Sequence, residues 1–310
     1  MIPTFPEFKK IEVNDRKAVE SYTCQYPPYS DFNFTSLWAW DTSDERMVSE
    51  LNGNLVARLT DYTTSEQFLS FLGSNKIEET IISLLGYAEK HELLKSLELI
   101  PEVSIPDSNN KEFLVMEDRN NFDYILDIPS LSRLEGGSFK DLRRNVRKFS
   151  ELYSQYHVEV KDKNESGLKD HILNLLDLWG ADKIAKGKEF EVHKERIALS
   201  RLLNSLKNDH KFIITTISNE SNTIAFSIEE ILTDDYCIGH FWKADTQKTG
   251  IYDFLLYSIA KYLNSRGLTL WNFEQDLGIE NLRKSKMKYR PVSFLKKFTV
   301  SSIVVSSVIE

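Results

Sequence analysis

The stretch from Trp271 to Pro291, WNFEQDLGIENLRKSKMKYRP, gathers Glu274, Asp276, Arg283, Lys286, Lys288 and Arg290 into what reads as a strand, a glycine-bearing turn and a short helix. Side chains alternate along a strand, so Asn272, Glu274 and Asp276 are expected to share one face, with Phe273 and Gln275 on the other. Arg283 and Lys286, three residues apart, are expected on one side of the helix. Carboxylates facing a cationic pair can do two things. A carboxylate can take the proton of an attacking amine while the cations hold a phosphate or carboxylate. Alternatively, the same groups neutralise one another and fasten the helix to the sheet. Spacing alone leaves both open.

Two further segments carry weaker signals. In SFKDLRRNVRKF, residues 138–149, Lys140, Arg144 and Lys148 stack four apart, and Arg143 with Arg147 forms a parallel row. Like charges at that spacing repel by a few tenths of a kcal/mol per pair, which carboxylates or a bound anion would offset. A solvated helix face accounts for the same pattern. The second segment is Gln247-Lys248-Thr249-Gly250-Ile251-Tyr252, between a strand and an apolar helix. A glycine near a helix start lets amides approach a pyrophosphate, though a simple loop also fits. No nucleophile elbow, phosphate loop or HExxH zinc motif occurs. Six histidines show no ligand spacing and read as surface or satisfied core residues, and Cys24 and Cys237 form no metal or redox pair. No metal is expected.

These groups must be placed by a chain of 310 residues, 41% hydrophobic and 28% charged, long enough for two domains. That composition excludes a disordered chain, a collagen-like fibre and a disulfide mini-protein. No apolar run approaches the ~20 residues that span a bilayer, and the N-terminus lacks a secretory pattern, so a cytoplasmic protein is expected. Net charge is −8, unevenly spread: residues 1–130 hold 11 Lys and Arg against 23 Asp and Glu, while residues 131–310 hold 28 against 24. Bulk attraction to nucleic acid is therefore excluded, DNA is not an expected partner, and a polyanion would need a local basic patch.

The first 130 residues read as a hairpin around Asn52-Gly53, a strand at EQFLSFLG, a helix or helical pair over 76–97, and strands at FLVM and DYILDI. A boundary is expected near residue 130. Beyond it come a helix capped by Ser138, helices over 167–186 and 193–207, strands KFIITTIS, TIAFSIEEIL and YCIGHFWKAD, and a buried helix ending at Gly267. Strand LTLWNFEQ, helix ENLRKSKMKY and strands SFLKKFTV and IVVSSVI close the chain. This order is α+β, with one crossover helix.

Three segments together, FNFTSLWAW, LEGGSFKDLRRNVRKF and WKAD…GIYDFLLY…NFEQDLGIENLRKSKMKYRPV, resemble the C-terminal catalytic domain of phosphatidylglycerol lysyltransferases. The resemblance runs from about residue 22 to 300 and is most specific over 272–291. It implies two tandem GNAT-like domains, 1–130 and 131–310, with mostly antiparallel mixed sheets flanked by helices, related to Fem-type aminoacyltransferases. It implies aminoacyl-tRNA as donor and an amine or hydroxyl acceptor on a small molecule or lipid head group. Under it, Glu274 and Asp276 are the catalytic candidates, and Arg143, Arg144, Arg147, Lys243, Asn272, Arg283 and Lys286 the substrate-binding ones. Gln247 and Gly250 match the loop by which acetyl-CoA-using members hold their cofactor, but Tyr252 stands where that loop needs a small residue. An acyl-CoA-dependent N-acetyltransferase and a non-catalytic binding protein on the same fold are the alternatives.

Overall fold

The computed structural model describes residues 1–61, 64–107, 112–153, 155–187, 192–206, 210–219 and 222–303. In chain order the elements are β1 (Lys9–Lys10), α1 (Arg16–Thr23), α2 (Phe34–Ala39), β2 (Met47–Leu51), β3 (Asn54–Thr60), β4 (Gln67–Leu72), α3 (Ile77–Lys90), β5 (Ser96–Pro101) and β6 (Phe113–Glu117). Then come β7 (Asp123–Asp127), α4 (Ile128–Arg133), α5 (Lys140–Leu152), β8 (Tyr156–Lys161), α6 (Leu168–Ala185), α7 (Val192–Ser205), β9 (Phe212–Asn219), β10 (Asn222–Ile231) and β11 (Tyr236–Ala244). The chain continues with α8 (Ile251–Ser265), β12 (Leu270–Asn272), α9 (Glu280–Lys288), β13 (Ser293–Leu295) and β14 (Lys297–Ser302).

The architecture is the expected α+β one, two seven-stranded mixed sheets flanked by helices. One compact unit comprises Met1–Phe122 with the residues from Leu295 on, and the other Asp123–Phe294. The expected division at residue 130 instead falls inside α4. Two strands account for the difference: β7 pairs with β12, and β14 pairs with β5 and β6. SFLKKFTV, expected as one strand, is thus two strands in different sheets. Such long-range pairing leaves no local mark on hydrophobic periodicity.

The first sheet runs β1-β2-β3-β4-β5-β14-β6. Its hairpin turn is Asn52-Gly53, with φ of 56° and 81°, the left-handed pair that two-residue hairpins require. Along β3, Leu55, Ala57 and Leu59 join one apolar cluster with Phe32, Phe34 and Leu37. Val56 points the other way, into a cluster with Phe71, Ile81 and Leu84. The period-two alternation of a strand thus gives this sheet a core on both faces. Of the expected helical stretch 76–97, only Ile77–Lys90 is helical, and Ser96–Pro101 turns back as β5, parallel to β4 at Leu69–Leu97.

The second sheet runs β13-β7-β12-β11-β10-β9-β8. Strands β8 to β11 are antiparallel, and α8 then crosses over to β12, which lies parallel to β11. Leu255, Leu256, Ile259, Ala260 and Leu263 are wholly buried along α8, each large side chain contributing about 1.5–3 kcal/mol of apolar transfer energy. Ser138 lies in a single 3₁₀ turn before α5 and caps nothing by its side chain. Strand β8 has no counterpart in the sequence reading, and the expected strand IVVSSVI lies, beyond Ile303, outside the described residues.

Candidate active site

Strands β11 and β12 are hydrogen-bonded only from Tyr236–Leu270 to Ile238–Asn272. Past that point β12 ends, and the chain follows β7 instead: the Phe273 amide donates to the Tyr124 carbonyl, and the Tyr124 amide to the Glu274 carbonyl. Strand β11 continues for six residues paired only with β10. The sheet therefore opens between two diverging parallel strands, at their C-terminal ends, where open α/β sheets place ligands.

The register between β10 and β11 slips at this opening. Ile228 faces Phe241 and Glu229 faces Gly239, leaving His240 as the extra residue of a β-bulge. Its imidazole has no solvent-exposed side-chain surface. Nε2 lies 2.9 Å from Glu230 Oε2, and Nδ1 lies 3.6 Å from Glu274 Oε1, just beyond direct hydrogen-bond length. Burial alone would lower the imidazole's pKa. The Glu230 hydrogen bond and the nearby carboxylates of Glu230 and Glu274 outweigh it and raise the pKa from 6.5 to about 9. His240 is thus an imidazolium at neutral pH, between a buried carboxylate and one that is 26% exposed.

Glu274 reaches this position through an unusual backbone. Its φ is 54°, in the left-handed region, which costs a non-glycine residue about 1–2 kcal/mol. The conformation is held from both sides, since its amide donates to Asn272 Oδ1 at 2.7 Å and its carbonyl accepts from Tyr124. Asn272, fully buried, also donates to Asp123 Oδ2 at 3.2 Å. The expected common face of Asn272, Glu274 and Asp276 does not form, because the strand stops at Asn272 and Glu274 breaks the alternation.

Asp276 and Arg283 come together with each other, and Lys286 grips the backbone of the same segment. Asp276 has no exposed surface and accepts from Arg283 Nε and Nη2, each at 2.9 Å, from the Gly278 amide at 2.9 Å, and from the Tyr124 hydroxyl. Burial would raise its carboxyl pKa, yet these donors hold it below the usual carboxylate range. The Lys286 ammonium donates to the carbonyls of Phe273 and, at 2.7 Å, Gln275. Both cations therefore clamp the segment that carries Glu274. Of the two carboxylates expected to be catalytic, Glu274 faces the opening and Asp276 anchors it.

The remaining candidates lie elsewhere in this unit. Lys243 pairs with Glu195 at 2.5 Å and stands over the Trp179 ring at 4.4 Å. Arg143 donates to the Leu134 carbonyl and, at 2.7 Å, to that of Gly136. Arg144 pairs with Asp141 and Arg147 with Glu151, both pairs well exposed on α5. Arg144 and Arg147 are thus met by carboxylates on their own helix.

The loop of Gln247 and Gly250 is occupied by the protein itself. Asp182 accepts from Thr246 at 2.7 Å and from Gln247 at 3.3 Å, placing a carboxylate where an anion would bind. A Cβ on Gly250, whose φ is 85°, would come 2.8 Å from the Asn145 carbonyl oxygen of α5. Asn145 donates to Asp253 in the first turn of α8, at 2.7 Å. Gly250 therefore makes room for α5.

Sequence reasoning overlooked Glu229, Glu230 and His240. A signal was present, since two adjacent glutamates inside the apolar run TIAFSIEEIL are anomalous for a buried strand. The bulge that brings His240 to Glu230 left none.

The sequence model of the family described as phosphatidylglycerol lysyltransferase, C-terminal, matches residues 25–301. No curated protein matches the sequence. Among solved structures, a conserved protein of unknown function from Bacteroides thetaiotaomicron superposes with a TM-score of 0.81 at 23% identity, covering 98% of this chain and 100% of that one. L-PGS from Bacillus licheniformis superposes with a TM-score of 0.62 at 13% identity, over 95% of this chain and 93% of that one.

Proposed function

Because the chain belongs to the phosphatidylglycerol lysyltransferase C-terminal family, whose fold is that of an acyltransferase, we propose that it moves an aminoacyl group from aminoacyl-tRNA to an amine or hydroxyl acceptor on a small molecule or lipid head group. The observation that carries this reading is the Glu230–His240–Glu274 array where β11 and β12 part. Glu274 is its only member with appreciable exposure, so it meets the acceptor.

The acceptor's lone pair forms the new bond to the ester carbonyl carbon while its proton passes to the Glu274 carboxylate. The carbonyl electron pair moves onto oxygen and returns as the bond to the tRNA ribose oxygen breaks. Glu274 then gives the proton to that departing oxygen and is a carboxylate again. His240 touches neither reactant. Its positive charge faces Glu274, and Glu230 helps to keep His240 charged. Arg283 and Lys286 act one step further out, fixing the backbone from Phe273 to Asp276.

An acyl-CoA donor is disfavoured by Asp182 and α5 at the Gly250 loop. Thermal shift against charged tRNA, uncharged tRNA and acyl-CoAs tests the donor, since ligands that prefer the folded state raise its melting point. Stabilisation by charged tRNA is the expected result. Stabilisation by an acyl-CoA alone would replace this reading with the acetyltransferase one, and binding of charged tRNA without turnover would leave a binding protein.

A further inference from the structure

Strand β8 leaves a long edge open at one end of the second sheet. It runs for six residues in unbroken register with β9, from Tyr156–Asn219 to Lys161–Ile214, whereas the strand at the opposite end, β13, has three. Among the described residues no strand pairs with the outer side of β8. Alternate residues along it therefore present N–H and C=O groups outward, a template for another strand. Several of the usual protections are missing. The strand has no proline and no bulge, and its one lysine is neutralised within the chain, the Lys161 ammonium lying 2.7 Å from Glu159 and 3.2 Å from Glu165. Its apolar side chains are also uncovered. Tyr156 stacks on Phe149 of α5 at 5.5 Å, but Val158 and Val160, on the same face, are 39% and 42% exposed.

We propose that β8 pairs antiparallel with β8 of a second copy of this chain, about a two-fold axis at Val158, joining the two second sheets edge to edge. The side chains select this occupant and this register. A two-fold axis perpendicular to a sheet keeps each side chain on its own face, so a residue can meet only one an even number of positions away. With the axis at Val158, that residue meets its own copy and Tyr156 meets Val160, covering the exposed valines. On the other face His157 meets Glu159, so an imidazole N–H donates to a carboxylate, and Gln155 meets Lys161. With the axis at Glu159, two carboxylates are set directly opposite each other, which destabilises a strand pair. An axis at His157 or Val160 shortens the overlap from five strand residues to three. Each copy contributes the same patch, so the contact closes at two chains. A strand pair of this length buries little surface, and the dimer is therefore a transient one. Strands β9 and β10 lie between β8 and β11, which makes the contact independent of the parted strands and of the transfer proposed there.

The test is sedimentation velocity of the full chain over a wide concentration range. Reversible growth from one chain mass to two is the expected result, and a single chain mass throughout would overturn the proposal. Val158→Lys, at an exposed position, sets two ammonium groups together at the axis and should abolish the dimer, with an unchanged melting temperature showing that the variant folds. His157→Glu places a carboxylate opposite Glu159 at two symmetric positions and should weaken association about 2- to 30-fold, the effect of two cross-strand pairs. Adding Glu159→His to it restores opposite partners at both positions and should recover the dimer. Met116→Lys, 49% exposed on the outer strand β6 of the first sheet, should leave association unchanged. A dimer indifferent to Val158→Lys, or one abolished by Met116→Lys alone, would place the contact elsewhere and overturn the proposal. A double variant no better than His157→Glu would overturn the register.

Discussion

Each unit folds two antiparallel pairings, a helix and a parallel strand in the same order: β2-β3-β4-α3-β5 in one and β9-β10-β11-α8-β12 in the other. Two residues past the parallel register Leu69–Leu97, Leu99 has a φ of 56°; two past Ile238–Asn272, Glu274 has a φ of 54°. The backbone device is the same, but the side chain it presents is not. Leu99 packs against its unit's apolar cluster, whereas Glu274 faces an imidazolium. The turn from β4 to α3 is filled by Asn54, whose amide donates to the Asn75 carbonyl at 2.7 Å and whose oxygen accepts from the Asn75 amide at 3.1 Å. The fold alone therefore does not make a site; charged residues at the parted strands do.

The largest effect expected is on transfer. Glu274→Gln should lower single-turnover aminoacyl transfer by roughly 100-fold or more, the scale of a lost general base, with an unchanged melting temperature. The matching change in the other unit, Leu99→Gln, should leave the rate as it was. Next is stability. Arg283→Ala strips a buried carboxylate of its ion partner and should cost about 2–3 kcal/mol in urea unfolding, the lower end for such pairs because the guanidinium is partly solvated. An unaffected midpoint together with weakened donor binding would return Arg283 to the substrate.

A third effect, on the order of a few kcal/mol, is pH dependence. The folded state raises His240 from 6.5 to about 9, so its contribution is complete below pH 6.5 and lost as pH rises through 9. Glu229, raised from 4.5 to about 8, costs stability progressively between those values. Both make stability fall as pH rises from about 5 to 9, and Glu229→Gln should flatten the part below 8 in a series of denaturant melts. The smallest effect is expected on α5. Reversing Arg144 and Arg147 to Glu should change stability by less than about 0.5 kcal/mol, and an unchanged tRNA affinity would confirm these arginines as a solvated face.

Much of the fold was legible because it is written locally. Asn52-Gly53 specifies its turn by φ, the stripe of α8 specifies a buried helix, and β9, β10 and β11 are unbroken β-prone runs. The segment 272–291 was legible as a cluster of opposite charges, and its cations Arg283 and Lys286 bind groups of the segment itself. What stayed hidden depends on long-range pairing: β5 and β8, the departure of β14 into the first sheet, and the bulge that makes His240 part of the site. A lone histidine in an apolar strand looks like core until its neighbours across the sheet are known.

The most direct test of the account is the rate at which the purified protein discharges a mixed pool of aminoacyl-tRNA in the presence of a small-molecule and lipid extract, measured for the native chain and for Glu274→Gln. The account predicts discharge by the native chain, with label appearing on an amine or hydroxyl compound, and its loss in the variant. Equal discharge by both chains, or none by the native one, would contradict it.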